Sequence, residues 1–577
     1  MMTTQKDNLL ITNGIIVDGT GAPPFKASLR IRNGIISEIG SDIIAESDER
    51  VFNAESCFVT PGLIESHTHF DGTMWWQPDL DPLPGCGVTT VIMGNCGFAL
   101  APLHEDPEVQ AQVVKIFSFF EDIPEEPFFE KLPWDWRKWS EYSKSMNANV
   151  NVPVNYGTFV GHIALRLSVM GMEAWERAAT ADEIEGIAEQ LEDALSAGAL
   201  GMSTNLMDHD GQDRPVPSLK ADDAEFTALF KVLARHSKCT VQVVVDSLMR
   251  FTAADQMERL AKLSEGMPIR LQWAGVPTLQ WQKDFGIQAP LVELHDRFAK
   301  EGRDFWTGYA HVPVTVTASI RASLLFAQSN EYVWHEVVTA ETDEEKLALL
   351  GSDEWRLRAR HSWDNDSLET SFFREPSPMM LDNSENETGP MGITLGEYAE
   401  QLAVHPSDAL AEWFILNGLS STVTMPPWHK DDEMITRLTR DPYAVGNIND
   451  SGAHGQLFCG AGDNLLLYTD YVKGNKLSIE EAVCSQTGKL ANHFGFTDRG
   501  ELKEGKRADI TVFNLDEIQH RPKYKINDVP DGKGGLTWRW TRDAAPMRLT
   551  TVNGQVTFEQ GKATGIMPGT MVQPLNV

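Results

Sequence analysis

Between residues 63 and 449, short apolar runs alternate with stretches of helical spacing. Candidate strands fall at 63–68, 88–93, 152–160, 199–204, 240–245, 269–274, 305–310 and 444–449. Strands that alternate with helices build parallel βα units, and eight is the count a (β/α)8 barrel requires. The helices are visible in part. From Ala181 to Ala197, Ile184, Ile187, Ala188, Leu191, Ala194 and Leu195 recur at helical spacing behind Thr180, a good N-cap. Ala224 to Leu233 repeats the pattern.

The two ends of the chain read differently. Asn13-Gly14 and Asn33-Gly34 each sit between apolar runs, and Asn553-Gly554 sits between Thr551-Val552 and Gln555-Val556. Asn-Gly supplies the positive φ angles of tight hairpins. Ala508 to Phe513 is a further strand. Residues 1–60 and 500–577 therefore predict one small β-domain assembled from both termini, with residues 61–499 inserted into it. Two stretches exceed the simple alternation: 104–150 and 315–440. Segments this long are usually functional. An insertion after the seventh strand overhangs the end of a barrel where active sites lie, so 315–440 reads as a mostly helical lid.

Length and charge narrow the function. A chain of 577 residues predicts two or three structural units. A formal net charge of −34 argues against nucleic acid or anionic membrane as partner. The six cysteines are scattered, without paired short spacing, which fits a reducing compartment. There is no basic stretch followed by a long apolar run at the start, and no run of membrane-spanning length. The expectation is a cytoplasmic enzyme or binding protein acting on small molecules, with homo-oligomerisation left open.

One stretch carries chemistry: Pro61-Gly62-Leu63-Ile64-Glu65-Ser66-His67-Thr68-His69-Phe70-Asp71-Gly72. Alternate residues of a strand share a face, so His67 and His69 project together, with Asp71 following. That is half of a metal site, or else a polar strand end with two surface histidines. A second stretch is Gly87-Val88-Thr89-Thr90-Val91-Ile92-Met93-Gly94-Asn95-Cys96-Gly97, a β-branched strand ending in a Gly-Asn-Cys-Gly loop.

Together these stretches resemble the amidohydrolase superfamily, and within it the N-acyl-D-amino-acid deacylases. The resemblance implies a metal-dependent hydrolase, an α/β protein whose (β/α)8 (TIM) barrel is inserted into a small β-sandwich domain. It also implies that Cys96, after the second strand, is a metal ligand. Val445-Gly446-Asn447-Ile448-Asn449-Asp450-Ser451-Gly452-Ala453-His454 resembles the family's last-strand aspartate followed by Gly-Ala-His. Two imidazoles, a thiolate and a carboxylate (His67, His69, Cys96 and Asp450) form a suitable set for Zn²⁺. Asp450 is then also the catalytic base. The resemblance further offers His162, in Gly161-His162-Ile163-Ala164-Leu165-Arg166, as a substrate contact, with a structural histidine as the alternative. Tyr309, ending the seventh strand, and His454 are weaker candidates for substrate or supporting contacts.

The departures matter too. Two-metal relatives carry histidines after strands five and six, yet here those strands read Thr240 to Asp246 and Arg270 to Ala274. One tightly held zinc ion is expected and the second is in doubt. Asp246 is either a weak replacement ligand or a surface residue. Cys96 has a rival reading as a covalent nucleophile, which requires a neighbouring base. The expected activity is hydrolysis of linear C–N amides, deacylating N-acyl-(D-)amino acids. The alternatives are a dihydroorotase- or hydantoinase-like hydrolase of cyclic amides, and a non-catalytic scaffold.

Overall fold

The computed structural model describes residues 8–212, 214–236, 239–247, 251–313, 315–321, 333–365, 378–425, 427–453 and 455–574. Its centre is a set of parallel strands that neighbour one another in chain order. The first strand is Leu63–Glu65 continued by His67–Thr68, the second Val88–Met93, and the third Asn155–Thr158 continued by Val160–Gly161. Gly201–Asn205, Thr240–Val244, Arg270–Trp273 and Phe305–Gly308 follow. The eighth is Ala444–Val445 continued by Ile448–Ser451. Leu63 pairs with Val88, Thr90 with Asn155, Val160 with Met202 and Gly201 with Thr240. The series runs on through Thr240 with Arg270, Leu271 with Phe305 and Thr307 with Ala444. Finally Ile448 pairs with His67, which lays the eighth strand beside the first.

Burial explains the composition of these strands. Every residue of Val88–Met93 is buried, as expected where a parallel strand is covered on both faces. The covering helices are amphipathic. Ala181–Ser196 buries Ile187, Leu191, Ala194 and Leu195, and it starts at a reciprocal capping box between Thr180 and Glu183.

The terminal segments form one nine-stranded sheet. Ile510–Phe513 pairs antiparallel with both Phe58–Pro61 and Leu549–Val552, which ties the two ends of the chain together. A separate antiparallel hairpin joins Lys523–Pro530 to Leu536–Arg542. Asn33-Gly34 and Asn553-Gly554 are tight turns, flanked by the pairs Arg32 with Ile35 and Val552 with Gln555. Asn13-Gly14 is not a turn. It is a bulge inside the strand Leu9–Ile16, with Asn13 at φ 58°. The strand needs the bulge because it changes partner there. Leu9–Thr12 pairs with Arg50–Asn53, whereas Ile15 and Ile16 pair with Phe58 and Val59. A Cβ on Gly14 would lie 2.4 Å from Val59 Cγ2, so only glycine permits that approach.

The long insertion has its own core. Trp334, Trp355, Trp363 and Trp413 cluster with Leu350, Leu410 and Phe414, apart from the main core. Its described residues are mostly helical, including Asp343–Gly351, Asp353–Asn365, Leu395–Leu402 and Pro406–Asn417, beside a small three-stranded sheet. The stretch 104–150 forms the helices Pro107–Glu121, Glu126–Lys131 and Trp139–Asn149.

Candidate metal centre

The ends of the first, second and eighth strands meet at one point. His67 Nε2 lies 3.1 Å from Cys96 Sγ, and His69 Nε2 lies 3.8 Å from the same sulfur. Asp450 Oδ1 lies 3.3 Å from His67 Nε2 and 3.7 Å from His69 Nε2. Ligands ~2.0–2.3 Å from a tetrahedral zinc are separated by edges of ~3.3–3.8 Å. The separations of each imidazole from Cys96 and from Asp450 fall on or close to those edges; His67, His69 and Cys96 form one compact group of donors that fits that ion, with Asp450 beside the two imidazoles. His67 and His69 are buried, whereas the Asp450 side chain keeps 31 % of its surface exposed.

The loop that carries Cys96 is tightly constrained. Gly94, Cys96 and Gly97 all have positive φ, at 70°, 57° and 78°. A Cβ on Gly94 would stand 2.4 Å from Phe159 O. Asn95 Nδ2 donates to Ile92 O (2.9 Å) and Thr68 O (3.3 Å). Gly94 N donates to Asp71 Oδ2 (3.3 Å), and Gly97 N to Ser203 Oγ (3.0 Å). Asp71 therefore supports this loop, and its burial pushes its carboxyl up to about 7. Asp450 is also held left-handed, at φ 50°. A non-glycine residue in that region costs on the order of 1 kcal/mol or more, and such strain concentrates at functional sites.

Electrostatics separate the two readings of Cys96. Burial, then the carboxylates of Asp450, Glu121, Asp208 and Asp71, push its thiol well above the ordinary range. A nucleophilic cysteine needs an electropositive setting that lowers its pKa. A cluster of anions around a thiol and two imidazoles suits a bound dication instead.

Glu121 was not legible as a site residue. It ends the helix Pro107–Glu121, is 2 % exposed, and places Oε1 3.1 Å from His69 Nδ1. A carboxylate on the far nitrogen fixes the ring and leaves Nε2 for the site. Its signal in sequence is only an acidic residue closing a helix, and nothing local links it to His69.

The opposite strands carry amides. Gln242 Oε1 accepts from Cys96 N at 2.9 Å, and Gln272 Oε1 meets His493 Nε2 at 2.9 Å. Asp246 is 2 % exposed, which corrects its reading as a surface residue. The helix Ala253–Leu263 covers it: Ala253 N donates to Asp246 O (3.0 Å), and Asp246 N donates to Gln256 Oε1 (3.1 Å).

His162 is fully buried between Thr204 Oγ1 and Glu225 Oε1, both at 2.8 Å, and Arg166 also contacts Glu225. Tyr309 is 3 % exposed and its hydroxyl donates to Thr439 Oγ1 at 3.0 Å. Both side chains are thus engaged by protein partners. His454 lies outside the described residues.

Imidazole, thiol and carboxylate donors at the carboxyl ends of parallel strands characterise metal-dependent hydrolases of α/β fold. Comparison with known proteins agrees. A profile described as the amidohydrolase family matches residues 50–329 and 430–558, leaving out most of the insertion. The chain belongs to that family, on the branch of the N-acyl-D-amino-acid deacylases. It is 30% identical to an N-acyl-D-glutamate deacylase of Alcaligenes xylosoxydans xylosoxydans over 96% of this chain and 94% of the relative. It is 32% identical to a D-aminoacylase of the same organism over 40% of this chain and 43% of that one. Among solved structures, a D-aminoacylase crystal structure matches with TM-score 0.66 at 20% identity, covering 98% of this chain and 100% of the other. An N-acyl-D-glutamate deacylase from Bordetella bronchiseptica, complexed with zinc and a phosphonate inhibitor, matches with TM-score 0.64 at 21% identity, covering 99% and 100%. At these identities the two structures show the shared fold.

Proposed function

We propose that this chain is a zinc-dependent hydrolase of linear amides that deacylates N-acyl amino acids, of the D configuration as in the names of its relatives. The observation that carries the reading is the grouping of His67, His69 and Cys96 within 4.8 Å of one another, with Asp450 beside both imidazoles. The reading includes closure of the parallel strands into a (β/α)8 barrel, supported by the return pairing of Ile448 with His67. It also includes the division into a terminal β-sandwich domain (1–60 and 500–577) and an inserted barrel (61–499) with a lid at about 315–440. All six cysteines are free, which supports a reducing, cytoplasmic setting.

His67, His69, Cys96 and Asp450 would hold one zinc ion. When bound, zinc polarises the amide carbonyl and lowers the pKa of a water ligand to about 7. Asp450 supplies the proton traffic, since its carboxylate stands at the cluster yet remains partly exposed. It accepts a proton from the attacking water and returns it to the leaving nitrogen as the C–N bond breaks and a C–O bond forms. The products are a carboxylate and an amino acid. Glu121 keeps His69 oriented throughout.

The test is zinc per chain and amine release from N-acetyl amino acids of both hands, on wild type and on Cys96→Ala purified without chelator. About one zinc with turnover, both lost in the variant, is the expected result. Metal-free, inactive wild type would reject the reading, and two ions per chain would reject its single-metal part.

A further inference from the structure

We propose that Gln486 and Asn447 are positioning residues: they pin the bulge in the eighth strand that aims Asp450 at the metal donors. The proposal rests on the function argued above, in which Asp450 moves the protons.

The eighth strand does not run evenly beside the first. Ile448 pairs with His67 and Ser451 with Thr68, so Asn449 and Asp450 are extra residues looped out of the ladder. Beyond them contact resumes, with His69 N donating to Ser451 O at 2.9 Å. A bulge bends its strand and re-aims a side chain. Here it carries Asp450 Oδ1 to 3.3 Å from His67 Nε2. Left-handed backbone flanks and closes the bulge, at Asn447 (φ 59°) and Asp450 (φ 50°). Residues with a Cβ stay in that conformation only where their surroundings hold them. The loop that follows presses on the bulge: a Cβ on Gly460 would lie 1.8 Å from Asn449 O, so only glycine fits there.

What holds it is a set of buried amides. Asn447, Asn449 and Gln486 are each 3 % exposed or less. Asn447 Nδ2 donates to Ile64 O at 2.7 Å, which leaves its Oδ1 as an acceptor. That oxygen receives Asn449 Nδ2 from inside the bulge and Gln486 Nε2 from the end of the helix Ile479–Gln486, both at 3.1 Å. Asn449 Nδ2 also donates to Glu65 Oε1, on the first strand, at 3.2 Å. Gln486 Nε2 also donates to Asn464 O at 2.9 Å, so the helix is tied to the segment beyond the bulge as well. On the near side, Ser66 Oγ donates to Gly446 O at 2.6 Å. Gln486 thus fixes Asn447, and Asn447 fixes Asn449, the residue before Asp450. A fully engaged polar network of this kind rigidifies one arrangement. A group that must meet both the attacking water and the leaving nitrogen loses rate steeply when displaced, about 10²-fold for ~1 Å. The bare alternative is that these amides only satisfy one another inside the protein.

Gln486→Met removes both donated bonds and keeps the length of the side chain. Asn447→Gly removes the clasp and still allows positive φ. Both variants should retain zinc and show a KM within about twofold of wild type, while turnover of the N-acetyl amino acid that wild type accepts falls about tenfold or more. Cobalt(II) in place of zinc reads the same displacement without turnover: the visible absorption of both variants should move from that of wild type toward that of Asp450→Asn. A role confined to packing lowers the urea midpoint alone. Wild-type turnover and cobalt spectra in both variants, or in whichever of them folds, overturn the proposal and leave the hydrolase reading intact. If wild type binds cobalt and cleaves no N-acetyl amino acid, the hydrolase reading fails instead, and the spectra decide the positioning by themselves. Wild type that binds no metal rejects both.

Discussion

Two halves of the strand ends face each other with opposite characters. At the first, second and eighth strands, His67, His69, Cys96 and Asp450 turn donor atoms toward one point. At the fifth, sixth and seventh, Gln242, Gln272, Tyr309 and His311 spend theirs on the protein. The difference teaches that side chains near one another in a fold diverge in role according to the partners that their surroundings give them. Gln242 accepts from the backbone of the Cys96 loop, so the donor-poor half braces the donor-rich half.

The sharpest way to break the comparison is at Asp450. Asp450→Asn removes the proton acceptor and keeps the size of the side chain. Turnover should fall by about 10³-fold while His67, His69 and Cys96 still retain zinc. A variant within tenfold of wild type would move the base to another residue.

A second prediction concerns His311 on the donor-poor half. Burial lowers its pKa to about 4, and its Nε2 lies 3.2 Å from Asp463 O. The unfolded chain, with a histidine pKa near 6.5, then binds more protons than the folded one between those values. Stability is therefore present above pH ~6.5 and lost as pH falls toward ~4, by up to about 3 kcal/mol from this residue. Burial pushes His493 down as well, with the same sign. His311→Gln keeps a donor and removes the titration. Its urea midpoint should fall less than that of wild type between pH 7 and pH 5. Parallel curves would show that His311 is not carrying the effect.

Glu121 tests the support behind the donor-rich half. Glu121→Gln should weaken zinc affinity about 10–100-fold in competition with a chromogenic chelator, with folding retained. Unaltered affinity would make its contact with His69 incidental. The smallest effect is expected across the divide. Gln242→Ala leaves Cys96 N without its acceptor and should cost ~1–3 kcal/mol in urea unfolding. No loss there would uncouple the two halves.

What could be read from the residues alone was local. The tight turns at Asn33-Gly34 and Asn553-Gly554, the N-cap at Thr180 and the second strand at 88–93 depend on neighbours a few positions away, and the structure has each of them. His67-Thr-His69 announced a shared face because strand geometry alternates. The same Asn-Gly pair at 13–14 became a bulge because the strand had two partners to satisfy, and neither is visible within the pair. Tertiary packing alone decided that Glu121 stands behind His69, that Tyr309 meets Thr439 and His162 meets Glu225, and that Asp246 is buried. It also brought Gln486 to Asn447, beside the bulge that carries Asp450. A hydrogen bond or an ion pair is chosen among groups brought close by the whole fold, so its identity is set by three-dimensional proximity and burial rather than by spacing along the chain.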